Sequence, residues 1–306
     1  IHGNSGPIYV KRKHVFDAPL GEQEQAFLDA LIKLGVPRFD DQNEPNPHGV
    51  APTARNIKDG KRQSSAVAYL APARERANLT VIGAAPVLSL ILNGKKALGV
   101  RYRKDGRDCE ARGDKIVLSA GVYHSAQILL LSGIGPRAEL ARHGIAVAHE
   151  LNGVGENYQD HPVVTMTLKA NTDGQKPNAR GRSTLKLYYK SDPARDYLDF
   201  HIILREITTV SGIGDMIGFS CHLLEQTNRG RLTLASANPD DLPLIDPQML
   251  EHPKDIKAML AAMNFVQRLA NTAPLSKYCG ELFSPSPTED WEKFARSTYT
   301  SYFHGV

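Results

Sequence analysis

Apolar residues return at three- and four-residue steps in two stretches of the chain. Over residues 22–34, Phe27, Leu28, Leu31 and Leu34 share one helical face, and Gly35 supplies the stop. Over 254–270, Ile256, Met259, Leu260, Met263, Val266 and Leu269 do the same, with Pro253 and Asp255 at the start and Pro274 past the end. A shorter helix is predicted from Ser64 to Arg76 with Val67 and Leu70 turned inward, and the Asn-, Asp-, Pro- and Gly-rich stretch from Asp40 to Gly60 reads as a long loop.

From Asn78 the period becomes that of strands. Leu79 to Ala84, Val87 to Leu92, Ala97 to Tyr102 and Ile116 to Leu118 are β-type runs, and Asn93-Gly94 and Asp105-Gly106 between them are hairpin signals. The pattern predicts an antiparallel meander ending in one buried strand, Lys115 to Gly121, followed by a helix from about Ser125 to Leu131. After Pro162, strand-length runs at 165–168, 186–189, 198–204 and 218–224 predict a mainly antiparallel sheet, with the polar segment 171–183 as a connection.

Composition narrows the function classes. At 306 residues, the chain has room for two domains. With 41% hydrophobic and 23% charged residues it lies near globular averages, against disorder or a coiled coil. No apolar run reaches the length a membrane-spanning helix needs. The net charge of +4 is scattered rather than gathered into a patch, which argues against nucleic acid. Cys109, Cys221 and Cys279 are far apart, and no grouping has metal-ligand spacing, so no metal is expected and the compartment stays open. Asn78-Leu79-Thr80 is read as a chance glycosylation triplet. The first residues read as a turn and the last have neither helix stop nor polar tail, which predicts a segment of a longer protein.

Two glycine clusters bear on chemistry. Gly153-Val154-Gly155-Glu156-Asn157 starts like a dinucleotide fingerprint, but Asn157 replaces the third glycine and Pro162 follows, so a tight turn is expected. The second, Gly121 to Gly135, joins the expected buried strand, a helix and a Ser-Gly-x-Gly turn. The Ala120-Gly121 step would let a large planar cofactor approach the backbone, since a Cβ would hold it off. This stretch resembles the second signature of the glucose-methanol-choline (GMC) flavin oxidoreductases. Further similar blocks follow in that family's order: Arg62-Gln63-Ser64-Ser65, Asn78 to Val81, Gly153 to Asn157 with Asp160-His161, Arg229 to Leu232, and Ile245-Asp246-Pro247. Val122 and Ala126 depart from the signature, and Val122 is expected to narrow the space near the cofactor. The family's Gly-rich N-terminal fingerprint and closing C-terminal block are not in this sequence.

The resemblance implies an α/β fold, α and β mixed. Part of a Rossmann-like FAD-binding domain (66–162) would be interleaved with an antiparallel-sheet substrate domain (1–65 and 163–300), and 301–306 would return toward the cofactor. It implies FAD as cofactor and oxidation of a small-molecule alcohol, in the manner of choline dehydrogenases. It makes His304, in Phe303-His304-Gly305-Val306, the base that takes the hydroxyl proton, and it lays the main chain of Val87 on the adenine edge, with Ala120 and Gly121 also at the cofactor. A second His or Asn that assists in the family would lie after Val306. Oxygen and quinone remain equally open as electron acceptor, as does the substrate. Asp160-His161 is expected as a structural pair, and His201 and His222 as sheet residues, with pocket lining as the alternative. A hydroxynitrile lyase of the same fold, or an inactive truncated chain, are the rival readings.

Overall fold

Both long helices form where the periodicity puts them. Glu22–Lys33 ends at Gly35, whose φ of 79° is one that glycine adopts without strain, and Pro253–Ala270 starts with Pro253 in its first turn. The His252 side chain caps the second helix by accepting from the Lys254 N–H, and buried Asp255 accepts from the Thr227 N–H and hydroxyl. The structure, a computed structural model, describes residues 3, 5–11, 20–44, 47–171 and 184–306. Nearly all of the expected connection 171–183 lies outside the described residues. The chain divides into two compact units, one of 1–79, 161–227 and 250–302, the other of 80–160, 228–249 and 303–306.

The first unit is built on a seven-stranded antiparallel sheet. Its order is Gly49–Pro52, Leu185–Tyr189, Phe200–Val210, Gly214–Leu223, Pro162–Ala170 and Cys279–Ser284, with Thr300–Ser301 also paired to Pro162–Ala170. Because strand side chains alternate between faces, the register Leu187↔Ile202↔Cys221↔Val164 stacks one apolar row on one face. Phe27 and Leu31 of the first helix and Met259, Met263 and Val266 of the second complete that core, with the rings of Phe27 and Phe219 6.4 Å apart. Burying each such side chain contributes roughly 1.5–3 kcal/mol. The intervening positions, Lys186, Tyr188, His201, Arg205, Ser220 and His222, fall on the opposite face.

Within the second unit the two hairpins form at the expected turns, as Val87–Asn93, Lys96–Lys104 and Arg107–Arg112. The third of these strands, R-D-C-E-A-R, is mostly charged and was not expected. It is a sheet edge tied by Arg103 to Asp108 and Arg101 to Glu110. A small core of Leu130, Leu140, Val154, Leu232 and Leu234 joins the helices Gly121–Leu131 and Arg137–Arg142 to residues 228–249, which therefore pack here rather than with their sequence neighbours. Gly153 to Gly155 is indeed a turn, and it runs into the short strand Glu156–Tyr158. A Cβ on Gly155 would stand 2.3 Å from the Leu232 carbonyl oxygen, whose own N–H donates to the Gly155 carbonyl. The fold is thus mixed α/β with antiparallel sheets. Among the described residues, the only parallel ladder is Ile134–Gly135 with His149–Glu150.

Three expectations need correction. Lys115 to Gly121 is not a buried strand: residues 115–119 are extended but no strand pairs with them among the described residues, and Val117 is 83% exposed. Leu79 to Ala84 is likewise unpaired and largely exposed. An apolar run becomes a buried strand only when a ladder and a covering layer meet it, and neither is among the described residues. Third, the short helix expected from Ser64 to Arg76 does form, as a π-helix at Ala66–Leu70 running into the α-helical Ala71–Ala73, but Val67 is 48% exposed rather than turned inward. Pro72 has no N–H to give to the Ala68 carbonyl, and the Ala71 N–H bonds one residue further back, to Ala66.

His222, 2% exposed, gives the fold a pH dependence. Burial chiefly lowers its pKa to about 4; the His201 carbonyl opposes this, and the charges of Lys186, Arg205 and His161 add to it. An unfolded histidine titrates near 6.5. Between those values the unfolded chain binds the extra proton, so stability is complete above about pH 6.5 and is lost as pH falls toward about 4. Chemical denaturation of wild type and His222→Asn across this range should show the wild type losing on the order of 3 kcal/mol more than the variant. Parallel pH profiles would contradict this.

Candidate functional site

Two of the three expected cofactor residues, Val87 and Ala120, line a cavity of about 700 Å³ in the second unit. Val87 opens the strand Val87–Asn93, Ala120 precedes the helix Gly121–Leu131, and both line the cavity together with Leu88, Ile116, Leu118 and His124. Gly121 has a φ of 80°, and nothing stands within 4 Å of where its Cβ would be. The helix has no side-chain cap, so its first-turn N–H groups retain donor capacity. The backbone of 115–119 has no ladder partner. An apolar wall beside unused main-chain donors and acceptors suits a flat heteroaromatic group carrying phosphate, so these residues fit part of an FAD.

His304 belongs to the same unit and does not line this cavity. Its backbone is held by Asp160, which is 3% exposed and accepts from the His304 N–H at 3.0 Å. Asp160 also accepts from the Tyr158 hydroxyl at 3.2 Å, and that hydroxyl lies 2.8 Å from the Tyr123 hydroxyl. Burial, then the bond with Tyr123, then the Asp160 charge push the Tyr158 pKa far above its ordinary value, so the phenol stays protonated and continues to donate. Gln159 and Val306 exchange two backbone bonds, at 3.0 and 2.9 Å, which extends the hold to the last residue. A Cβ on Gly305 would meet the Tyr158 ring at 2.8 Å and Val122 Cγ1 at 3.2 Å, so a side chain is excluded there. Val122, expected to crowd the cofactor, directs its bulk at Gly305. The imidazole of His304 is left exposed.

Sequence reasoning marked Asp160-His161 only as a structural pair. The bonds described for Asp160 tie it to Tyr158 and to His304, and no spacing rule links positions 123, 158, 160 and 304. His161, His201 and His222 belong to the first unit, where His222 stacks edge-on against Tyr302 at 4.4 Å and His201 against Tyr188 at 4.5 Å. Buried Cys221 and Cys279 have thiols pushed up to about 12 by burial, which makes them poor nucleophiles.

Comparison with known proteins identifies the family and relatives of the chain. A family model described as GMC oxidoreductase matches residues 6–163, and a second with the same description matches 226–306. The chain is 31% identical to an alcohol dehydrogenase [acceptor] of Pseudomonas putida over all of its own length and 61% of that protein's. It is 30% identical to an oxygen-dependent choline dehydrogenase of Ectopseudomonas mendocina, over 99% and 59%. The chain thus spans about three fifths of the length of these curated relatives. Among solved structures, pyridoxine 4-oxidase from Mesorbium loti superposes with a TM-score of 0.88 at 24% identity, covering all of this chain and 62% of that one. An FAD-dependent oxidoreductase from Chaetomium thermophilum superposes with 0.84 at 20%, covering all of this chain and 65% of that one. The mixed fold and the cofactor FAD expected from the sequence agree with both.

The Asp160 clamp is directly testable. In the full-length protein, Asp160→Ala removes the acceptor for two donors and should destabilise by roughly 1–3 kcal/mol. Hydrogen exchange at the His304 amide should then speed up, while Asp160→Asn, which keeps an acceptor oxygen, should preserve protection. Equal exchange in all three proteins would contradict the clamp.

Proposed function

The chain belongs to the GMC oxidoreductases, and on that footing we propose that it is the greater part of an FAD-dependent enzyme that oxidises an alcohol to an aldehyde or ketone. The observation that carries this reading is the family match, which extends through 226–306 and so includes the His304 block. FAD, held by Val87, Ala120 and Gly121, would supply the redox chemistry as a two-electron acceptor. The protein's work is to hold the alcohol carbon and to remove a proton.

His304 performs the second task, its imidazole nitrogen accepting the hydroxyl proton as the C–H bond breaks. Asp160 contributes by fixing the His304 backbone, which limits the positions the imidazole can sample. Val87, Ala120 and Gly121 hold the cofactor, the first through its main chain. The second unit is then the cofactor-binding part, and the polar sheet face of the first unit is the substrate-binding part.

Removing a general base costs about 10²–10⁴-fold. Rapid-mixing reduction of the full-length holoprotein at saturating alcohol should therefore slow by that order in His304→Ala while FAD stays bound. A loss below about tenfold, small against that range, would reject the assignment. For the cofactor, Val87→Ile should leave FAD affinity nearly unchanged, and Val87→Pro, which removes the N–H and restrains the backbone, should weaken it. Equal FAD affinity in wild type and Val87→Pro would separate Val87 from the adenine site.

A further inference from the structure

A cavity of about 710 Å³ opens in the first unit, beside the polar face of its sheet. Arg55, Arg62 and Lys186 line it with Asn56, Thr184 and Tyr302, and no Asp or Glu is among the described residues of its wall. One carboxylate touches the lining from behind: Glu24, buried on the first helix, accepts from the Thr184 hydroxyl at 2.8 Å and from its N–H, so it is engaged. Lys186 is half-buried, and no carboxylate lies within ion-pair reach of it among the described residues. Its one described contact is the Tyr188 ring, 5.9 Å away. Burial lowers its pKa, the mark of a cation held partly out of water without a counter-ion. The positive charge is felt nearby, since Lys186 and Arg205 both act to lower the pKa of His222.

We infer that this cavity receives an anionic group, carboxylate or phosphate, carried by the alcohol substrate, with Lys186 as the charge that selects it. The inference rests on the alcohol-oxidation reading and names its substrate class. Lys186 and Arg62, with no acid among the described residues of the wall, favour an anion and oppose a quaternary ammonium group such as that of choline. Lys186 supplies the point charge, and Arg62 supplies a guanidinium group suited to carboxylate or phosphate oxygens. Tyr302 also lines the wall. A substrate anchored by its anionic end would keep its hydroxyl free for oxidation.

The test compares alcohols of matched shape. Full-length FAD-loaded protein is mixed anaerobically with para-(hydroxymethyl)benzoate, para-(hydroxymethyl)phenyl phosphate, neutral para-methylbenzyl alcohol, and choline, and kcat/KM for flavin reduction is measured for each. One of the two anionic alcohols should exceed the neutral one by roughly ten- to hundredfold, the range of a hydrogen bond to a charged group, and the better of the two tells carboxylate from phosphate. Lys186→Met should collapse that ratio toward one, and Lys186→Arg should keep most of it. If Lys186→Met does not accumulate, the wild-type ratio still decides and Arg62→Gln provides the loss arm. A neutral alcohol or choline that matches both anionic substrates, or a ratio unchanged in Lys186→Met, overturns the inference and leaves alcohol oxidation standing. Failure of all four alcohols to reduce the flavin overturns the alcohol-oxidation reading and the inference with it.

Discussion

The period-two alternation of the seven-stranded sheet constrains the whole first unit. Leu185, Leu187, Phe200, Ile202, Leu204, Phe219 and Cys221 all belong to the unit's apolar core, the sheet's contribution to the packing against the two helices. Each intervening position is thereby fixed on the other face, including Lys186, His201, Arg205, Ser220 and His222. A slip of one residue in Leu185–Tyr189 or Phe200–Val210 would exchange the two sets of that strand and turn Lys186 or Arg205 into the apolar core. The same packing that stabilises the unit therefore sets out its polar groups.

In the second unit, placement depends on a single buried carboxylate. Asp160 stands at the end of the segment that carries Tyr158, and it binds the amide of a residue 144 positions away. An acceptor that accepts from both an amide and a phenol is more directional than hydrophobic contact, and directionality is what a proton-accepting imidazole needs from its backbone. The glycine beside it is required by the Tyr158 ring rather than by backbone freedom. A block that looks like a sequence signature is, physically, one tight contact.

Much of the fold was legible because local patterns and tertiary demands coincide. The helix over 254–270, the strands around 162–170 and 200–223, and both Asn-Gly and Asp-Gly hairpins follow from periodicity and turn chemistry alone. Pattern failed where the decisive partner was elsewhere. Arg107–Arg112 is held by cross-strand ion pairs and carries only Cys109 and Ala111 as apolar positions, too weak a pattern to mark a strand. Lys115 to Gly121 has the composition of a buried strand, but composition cannot supply its ladder. Val87 and Ala120 were found by resemblance and do meet at one cavity, whereas the Tyr123, Tyr158 and Asp160 network and the cationic wall of Arg55, Arg62 and Lys186 assemble from distant segments without a linear signal. Resemblance finds what a family shares, and electrostatics of the particular wall finds what distinguishes a member.

The central claim is that the chain's residues serve removal of hydride and proton from an alcohol. The most direct measurement is the anaerobic reduction of the full-length flavoprotein by an alcohol carrying deuterium on the carbinol carbon, beside the undeuterated compound. The account predicts that the flavin is bleached and that deuterium slows bleaching by a primary isotope effect. An oxidised flavin that persists under saturating alcohol, or bleaching indifferent to deuterium, would contradict it.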